Sequence, residues 1–330
     1  MIHNAKKSES TNEASIVMPI YNGETTLEEV FEHLEKQHSK KLIKHIFFIN
    51  DNSTDKSLEL LEEYKKTSSY SCSIITNKTN IGLANGYNLG INLAETALVI
   101  TMHQDIVLRD LDSFEKIIKP FETNGKIGAS YPTLLHPEDV WLSYNFWQRA
   151  MFSRFVGRKI PLLSGKFDCF SKSALNEIGL FDSKTFRTAG EDGDIKKRFA
   201  KAGYEMVQSN LEVVHVHNRE KNFDYKKLLK KESQIAEAQG VLLRKYGAHS
   251  IPNFLAAFFR QILLIAILLP FINIFAALLI IIYCFAYSIK LYKKPPFDVK
   301  LFVLPIVNFV ALPLALFFSL RGFITAKQFL

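Results

Sequence analysis

Cysteine is scarce in this chain of 330 residues, which contains only three. They stand far apart, at Cys72, Cys169 and Cys284. This spacing fits neither a zinc motif nor a redox pair. Nothing in the cysteine content therefore requires an oxidising compartment, and buried or surface thiols are the expected state.

Dinucleotide and phosphate-loop fingerprints are also missing. The glycines at 82, 86 and 90 are four residues apart, so they do not form G-x-G-x-x-G, and no phosphate-loop lysine follows a glycine-rich turn. The sequence thereby argues against a dinucleotide-dependent dehydrogenase.

Acidic residues are nearly absent from the last quarter of the chain. Phe254–Leu330 contains seven basic residues and one acidic residue, which leaves 34 basic and 32 acidic residues in the first 253. The excess of positive charge thus lies among apolar segments, and it favours a membrane surface over nucleic acid as the partner. We expect no nucleic-acid binding.

Two long segments carry no charge at all, Ile262–Ile289 with 28 residues and Leu301–Leu320 with 20. Each is long enough to cross about 30 Å of hydrocarbon. We therefore predict a membrane region over 254–330 with about two transmembrane helices. Buried core helices are the alternative.

The front of the chain predicts an α/β domain over 14–220. Short apolar runs at 15–20, 45–50, 73–76 and 97–102 alternate with helical patterns, which favours a mostly parallel sheet flanked by helices. Residues 1–13 are polar, without a signal-peptide core, and we expect a disordered tail. Residues 221–253 predict a charged helical linker. The front domain is expected in the cytoplasm.

Three acidic stretches stand where binding sites occur in parallel sheets, at the carboxyl ends of strands or just before a helix. Asp51 ends one apolar run, Asp105 follows another, and Glu191, Asp192 and Asp194 precede a helical pattern. Carboxylates so placed could hold a nucleotide, a divalent cation and a proton to be removed. An enzyme that acts on a sugar nucleotide needs these three functions.

Each stretch also has a structural interpretation. Asp51 suits a base N–H but equally an N-cap, and the cluster at 191–194 suits either proton abstraction or a helix N-terminus. His215 and His217 alternate along a strand and face one side, so one of them is a candidate second ligand beside Asp105.

The order of these motifs resembles the family 2 glycosyltransferases, which have the GT-A fold. Residues 15–22 resemble their opening strand and P-x-Y-N turn, and 49–55 resemble their D-D-G-S-T-D loop with Asn at two positions. Residues 80–91 are similar to their N-x-G…N-x-G-I segment, and 165–182 resemble the stretch before the acidic motif. Residues 191–198 resemble E-D-x-D-x-x-x-R. One departure is that the family's D-x-D is His103-Gln104-Asp105 here.

The resemblance implies an inverting, hexosyltransferase-like enzyme with a divalent cation, Mn²⁺ or Mg²⁺. It implies Asp192 as catalytic base and Asp105 as a metal ligand, and from the strand pattern we expect His217 as the second metal ligand. Asp51 would bind the base of the donor, preferably a UDP- or dTDP-sugar. The implied donor-binding residues are Pro19, Tyr21, Asn22, Asp51, Asn80, Gly82, Asn88 and Asp105. On the acceptor side we expect Trp141, Trp147, Glu191, Asp194 and Arg198, although the aromatic residues equally suit a core.

The apolar C-terminal region resembles family members that act on lipid-linked or cell-envelope glycans. It predicts a multi-pass protein of the cell membrane, in contact with the lipid bilayer, that takes part in polysaccharide biosynthesis. A scaffold that keeps the GT-A fold but is catalytically weak is the alternative, and the substitution at His103 favours it slightly. A phosphohydrolase with Asp51 as nucleophile fits less well, because D-x-D-x-[TV] fails at Ser53.

Overall fold

The computed structural model describes residues 13–123, 126–217, 219, 222–248, 250–294 and 296–330. Residues 1–12, where a disordered tail is predicted, lie outside this range. The strands within the described residues are β1 (Ala14–Ile20), β2 (Ile43–Asn50), β3 (Cys72–Thr76), β4 (Leu98–Met102), β5 (Ile106–Val107), β6 (Ile127–Leu135), β7 (Lys159–Pro161), β8 (Phe167–Ser171) and β9 (Glu205–His215).

The helices come in two groups, those around the sheet and those that follow it. The first group is α1 (Leu27–Glu35), α2 (Ser57–Thr67), α3 (Leu83–Leu93), α4 (Ser113–Ile118), α5 (Glu138–Leu142), α6 (Phe146–Phe152), α7 (Lys172–Ile178) and α8 (Glu191–Lys201). The second group is α9 (Tyr225–Tyr246), α10 (Ile251–Ala266), α11 (Asn273–Ala286), α12 (Ile289–Lys293) and α13 (Leu304–Thr325).

The strands form one sheet in the order β3-β2-β1-β4-β8-β6-β9-β5, and β7 pairs with β6. The first four are parallel, and β6 pairs with β9 in parallel, whereas β8 is antiparallel to β4 and β6. The predicted α/β class with the GT-A fold and a mostly parallel sheet is confirmed. The antiparallel insertion of β8 has no local signature, because it is decided by a partner strand about 70 residues away in the chain.

Each face of the sheet covers a separate hydrophobic core. Ile16 and Met18 of β1 pack into one core with α1, while Val17 between them packs into the other with α3. This alternation is the side-chain period of a strand, and burial on both faces explains why the central strands read as unbroken apolar runs. In α3, a Cβ on Gly90 would lie 2.2 Å from Val17 Cγ1, so glycine permits the close approach to β1.

The helix pattern predicted at the start of the domain is confirmed by α1. Its four apolar residues, spaced at i, i+3, i+4 and i+7, are all buried against the sheet: Leu27, Val30, Phe31 and Leu34. The charged segment after the sheet forms α9, which packs along α13.

The apolar C-terminal region differs from the prediction of two crossings. The uncharged segment 262–289 is not one helix, because the chain turns between α10 and α11 near Pro270. These helices have 16 and 14 residues, so each is short for a span. Among the described residues, only α13 is long and apolar enough to cross a membrane. A multi-pass arrangement is therefore not supported.

Candidate active site

The carboxyl ends of β2, β1 and β4 meet at one edge of the sheet, because these strands are parallel neighbours. Asp51 follows β2, and His103, Gln104 and Asp105 follow β4. A cavity of about 650 Å³ opens at this edge. The residues predicted to bind the donor that line it are Pro19, Tyr21, Asp51, Asn80, Gly82 and Asp105.

Asp51 organises the segment that begins α3. Its Oδ1 accepts hydrogen bonds from Asn77 Nδ2 at 3.0 Å and from the Ile81 amide at 2.8 Å, and its Oδ2 accepts one from the Gly82 amide at 2.8 Å. Gly82 has φ +85°, a conformation that favours glycine. Asp51 does not cap α2, because that helix begins only at Ser57. The carboxylate is buried at the cavity wall.

Asn22 and Asn88 are not among the described residues that line the cavity. Asn22 Oδ1 accepts from the Thr54 amide at 2.8 Å. The side chain of Asn88 donates to Phe181 O at 2.8 Å and accepts from its amide at 3.0 Å. Both asparagines therefore join loops next to the site.

Asp105 lies among imidazole rings. His215 Nε2 is 3.1 Å from Asp105 Oδ2, and His103 Nδ1 is 3.8 Å from Asp105 Oδ1. These three residues place one ligand atom each within 4.8 Å of one another. His215, at the end of β9, thus meets the loop after β4 across the β5–β9 pairing.

His217 belongs to a second group, with His136 and His215, whose ligand atoms also lie within 4.8 Å of one another. Its ring stacks on Phe152 at a centroid distance of 3.6 Å. The residue that contacts the Asp105 carboxylate directly is His215, two positions before the predicted ligand His217.

The donor set fits a divalent cation. Burial lowers the pKa of His103 to about 3 and that of His136 to about 4, and it also holds the pKa values of His215 and His217 well below the usual range. The imidazoles are therefore neutral ligands near pH 7. Within the described residues, the buried atoms His103 Nε2, Asp105 Oδ1 and His217 Nε2 have no hydrogen-bond partner. Such unpaired acceptors are costly unless a ligand uses them.

The acidic cluster opens α8. Gly190 precedes the helix with φ +94°, and the Asp192 carboxylate accepts from the Gly193 amide at 2.7 Å. Burial and the neighbouring Asp192 raise the pKa of Glu191 to about 7. Glu191 therefore titrates near neutral pH, while Asp192 is half-buried at the helix start.

Asp194 faces the opposite way, into an ion-pair network. It is fully buried, and it accepts from Arg198 Nε at 2.7 Å and from Lys245 Nζ and Tyr246 Oη at 2.6 Å each. These bonds join α8 to the end of α9. The geometry gives Asp194 and Arg198 a structural part, in contrast to the acceptor-side position expected from the sequence.

The two tryptophans differ in their surroundings. Trp141 is buried, and its Nε1 donates to Arg149 O at 2.9 Å, so it packs in the core. Trp147 is half-buried, and its ring centroid lies 5.7 Å from that of Tyr225 at the start of α9.

Four further residues at the site were missed by sequence reasoning. Arg187 and Lys230 line the cavity as exposed cations. Lys166 adds its charge to burial in lowering the pKa of His103 and His215. Gln328 Oε1 accepts from the amides of Arg187, Thr188 and Ala189 at 2.8, 2.8 and 3.2 Å. Only Lys166 stood within a recognised motif.

Sequence comparisons agree on one family. A sequence model described as Glycosyl transferase family 2 matches residues 15–179. A poly-beta-1,6-N-acetyl-D-glucosamine synthase of Staphylococcus epidermidis is 27% identical over 177 residues, which cover 51% of this chain and 42% of the synthase. The synthase of the same name from Staphylococcus aureus strain COL is 25% identical over 177 residues, which again cover 51% of this chain and 42% of the synthase. The match thus spans less than half the length of these curated relatives.

Solved structures with the same fold extend the comparison. The mannosyltransferase PcManGT from Pyrobaculum calidifontis, in complex with GDP-Man and Mn²⁺, has a TM-score of 0.59 at 15% identity. The alignment covers 92% of this chain and 87% of that one. GalNAc-T7 with UDP, GalNAc and Mn²⁺ has a TM-score of 0.52 at 17% identity, over 70% of this chain and 50% of that one.

Proposed function

This chain belongs to glycosyl transferase family 2, and we propose that it is an inverting glycosyltransferase that moves a sugar from a nucleotide-sugar donor to a lipid-linked or cell-envelope glycan. One observation carries the proposal. Asp51, Asp105 and two cations, Arg187 and Lys230, line a single cavity at the carboxyl ends of parallel strands. Negative groups suit a nucleobase and a cation, and positive groups suit a diphosphate.

The donor side is assigned to Asp51 and its neighbours. The carboxylate has lone pairs beyond its three hydrogen bonds, so it can also accept from a base N–H such as N3–H of uracil or thymine. Tyr21 is exposed at the cavity and offers a ring for stacking. The solved structure of GalNAc-T7 contains UDP, whereas that of PcManGT contains GDP-Man. The nucleobase of the donor is therefore tested with a panel of sugar nucleotides.

Asp105 would hold a divalent cation together with the imidazoles of His103 and His215, or with His217 as the sequence predicts. The cation, once bound, supplies positive charge for the leaving diphosphate. Both solved relatives contain Mn²⁺, which supports a metal-dependent reaction. Nitrogen ligands favour Mn²⁺ over Mg²⁺, because Mg²⁺ prefers oxygen ligands.

We assign proton removal to Asp192. Its carboxylate takes the proton of the acceptor hydroxyl as the new C–O bond forms at the anomeric carbon and the bond to the diphosphate oxygen breaks. A single displacement of this kind inverts the anomeric centre.

The acceptor proposal is supported by the curated relatives, whose name describes the synthesis of a polysaccharide. Trp147 of α6 is half-buried and Tyr225 at the start of α9 is exposed, so the pair offers aromatic surface for a glycan. We propose that the catalytic domain, residues 14–220, works at the cytoplasmic face of the membrane.

The test is release of nucleoside diphosphate from a panel of sugar nucleotides, with an extract of cell-envelope glycans as acceptor. We expect turnover with one donor that requires Mn²⁺, that is lost in Asp105→Asn and that persists in Asp139→Asn. Asp139 is the matched control, since its side chain is 70% exposed and lies outside the cavity. A folded wild-type chain that binds nucleotide but releases no diphosphate from any donor would favour the scaffold alternative.

A further inference from the structure

We propose that the C-terminal apolar region is a monotopic anchor, in which the α10–α11 hairpin enters one leaflet of the bilayer and no segment crosses it. The inference rests on the proposed function for the membrane as partner, and it specifies how that membrane is met. The evidence is the set of contacts at the base of the hairpin and at both ends of α13.

The hairpin presents a large apolar tip. Leu268 is 79% exposed, Phe271 is 93% exposed and Ile274 is 70% exposed. No charged residue occurs from Ile262 to Ile289. Contiguous exposed apolar surface of this kind marks a membrane or protein interaction site.

The base of the hairpin is fixed to the catalytic side of the molecule through Glu232 of α9. Arg260 of α10 and Tyr287 just after α11 both bond to its carboxylate, at 2.5 and 2.7 Å, and Arg154 next to α6 lies 3.3 Å from it. Glu232 is buried. The charge on Arg260 is therefore neutralised within the protein and does not enter the hydrocarbon.

The reach of the hairpin beyond this base is limited. At 1.5 Å per residue, the helix from Arg260 to Ala266 extends about 9 Å, and α11 spans about 20 Å. Both are well short of the ~30 Å hydrocarbon core, and they match the depth of about one leaflet.

The segment after the hairpin returns to the same side as the catalytic domain. Lys290 Nζ donates to Val156 O, and Lys294 pairs with Glu138 at the start of α5. These contacts contradict an arrangement in which the lysines lie across the membrane from the domain. They also agree with the tendency of basic residues to remain in the cytoplasm.

Both ends of α13 are also held against the protein. Leu304 and Val307 are buried in the core that includes the sheet, and Arg321 Nε bonds to Glu237 of α9 at 2.6 Å. Glu237 is fully buried. A helix with both ends on one side of the bilayer does not cross it, although its length and composition alone allow a span.

The charges around the hairpin identify lipid as the occupant. The region after residue 253 has seven basic residues and one acidic residue, and beside those that pair with glutamates of the protein it presents the exposed Lys293 at the base of the hairpin. This positive charge complements anionic headgroups. A second copy of the chain would bring the same positive charge to the interface, which disfavours it as the occupant.

The first test is labelling by a membrane-impermeant thiol reagent in intact cells that carry the full chain with cysteine at Phe271 or at Lys294. The chain with its three native cysteines gives the background. We expect no labelling from outside at either position, and labelling at Lys294→Cys after membrane disruption. Labelling of either position from outside would overturn the proposal.

The second test measures binding of the detergent-purified chain to vesicles of phosphatidylglycerol and of phosphatidylcholine. Phe271→Asp should weaken binding by on the order of tenfold or more, because burial of a large apolar side chain is lost. Leu111→Asp is the matched control, since Leu111 is 40% exposed on the catalytic domain, and it should bind as the native chain does. Equal effects of the two substitutions would overturn the proposal, as would a tip buried in a dimer without vesicle binding.

Release of nucleoside diphosphate is measured on the same vesicle samples. Labelling and binding as expected without turnover would leave the anchor standing and refute the proposed function. Turnover together with labelling from outside would refute the anchor and leave the proposed function standing.

Discussion

At the scale of single residues, Asp192 and Asp194 lie two positions apart in the first turn of α8 but have different surroundings. Asp192 is half-buried, whereas Asp194 is enclosed by Lys245, Tyr246 and Arg198. Substitution of each should therefore have a different effect.

Asp192→Asn should lower kcat by on the order of 10²–10⁴ with nucleotide affinity and thermal stability nearly unchanged, since it removes only the proposed base. Asp194→Asn should cost about 1–3 kcal/mol of folding stability, because it removes the charge of a fully buried carboxylate that accepts hydrogen bonds from Arg198, Lys245 and Tyr246. Steady-state kinetics and thermal denaturation of both variants make the comparison. Near-normal turnover in Asp192→Asn would rule out its role as base.

The raised pKa of Glu191 gives a prediction on pH. Because the pKa rises from 4.5 to about 7 on folding, the native state favours the protonated form. Its contribution to stability is complete below pH 4.5 and is lost as the pH rises through 7. Glu191→Gln lacks this loss, so its unfolding free energy relative to wild type should rise over that window by at most about 3 kcal/mol. The titration of the buried histidines affects both proteins equally, so it cancels in the difference. Parallel pH profiles of the two unfolding free energies would contradict the raised pKa of Glu191.

His103 occupies the first position of the motif where the family has a carboxylate. His103→Asp replaces a nitrogen donor by an oxygen donor, and it should shift the preference from Mn²⁺ toward Mg²⁺ by on the order of tenfold. The measurement is nucleoside diphosphate binding at increasing concentrations of each metal, which requires no turnover. An unchanged ratio would show that His103 is not a ligand.

At the scale of elements, α9 and α13 cross at two glycines. A Cβ on Gly240 would lie 2.0 Å from Ser319 O, and one on Gly322 would lie 2.1 Å from Glu237 O. Backbone atoms cannot move aside as a flexible side chain can, so only glycine fits at this crossing.

Gly240→Ala should therefore destabilise the protein by roughly 1–3 kcal/mol despite the better helix propensity of alanine. Gly193→Ala in α8 is the matched control, because its added Cβ would meet only the end of the Leu242 side chain, at 2.9 Å. Thermal unfolding in detergent compares the two. Equal stability of the two variants would mean that the crossing relaxes without cost.

At the scale of the whole molecule, the end of the chain supports the loop at the cavity. Gln328 is buried, accepts from three consecutive amides of residues 187–189 and donates to Gln234 O on α9. This connects α9 and the segment after α13 to the residues that lead into Glu191 and Asp192.

Gln328→Ala should expose these three amides and speed their hydrogen exchange, and it should lower turnover while the fold is retained. Lys327→Ala, at an exposed neighbouring position, should leave exchange at the loop unchanged. Mass-spectrometric hydrogen exchange over the peptide that contains residues 187–189 gives the result. Exchange that is the same in both variants would show that the loop holds its shape without Gln328.

The site was predicted in outline from the sequence. The motif order placed Asp51 and Asp105 after strands, and both line the cavity. The same reasoning grouped Asp194 and Arg198 with the acceptor side, although the structure joins them to α9. A carboxylate in the first turn of a helix can point to the site or away from it, and the sequence pattern does not distinguish the two.

The sequence by itself determined the strands, the amphipathic helices and the lack of charge in the C-terminal region, because these depend on periodicity within a few residues. Only the tertiary structure decided which histidine meets Asp105, since His215 is 110 residues away, and that Gln328 binds the amide of Arg187, 141 residues before it. It also decided the topology of the apolar helices. Hydropathy counts apolar residues without regard to their neighbours, whereas the ion pairs of Arg260 with Glu232 and of Arg321 with Glu237 decide how α10 and α13 pack against α9.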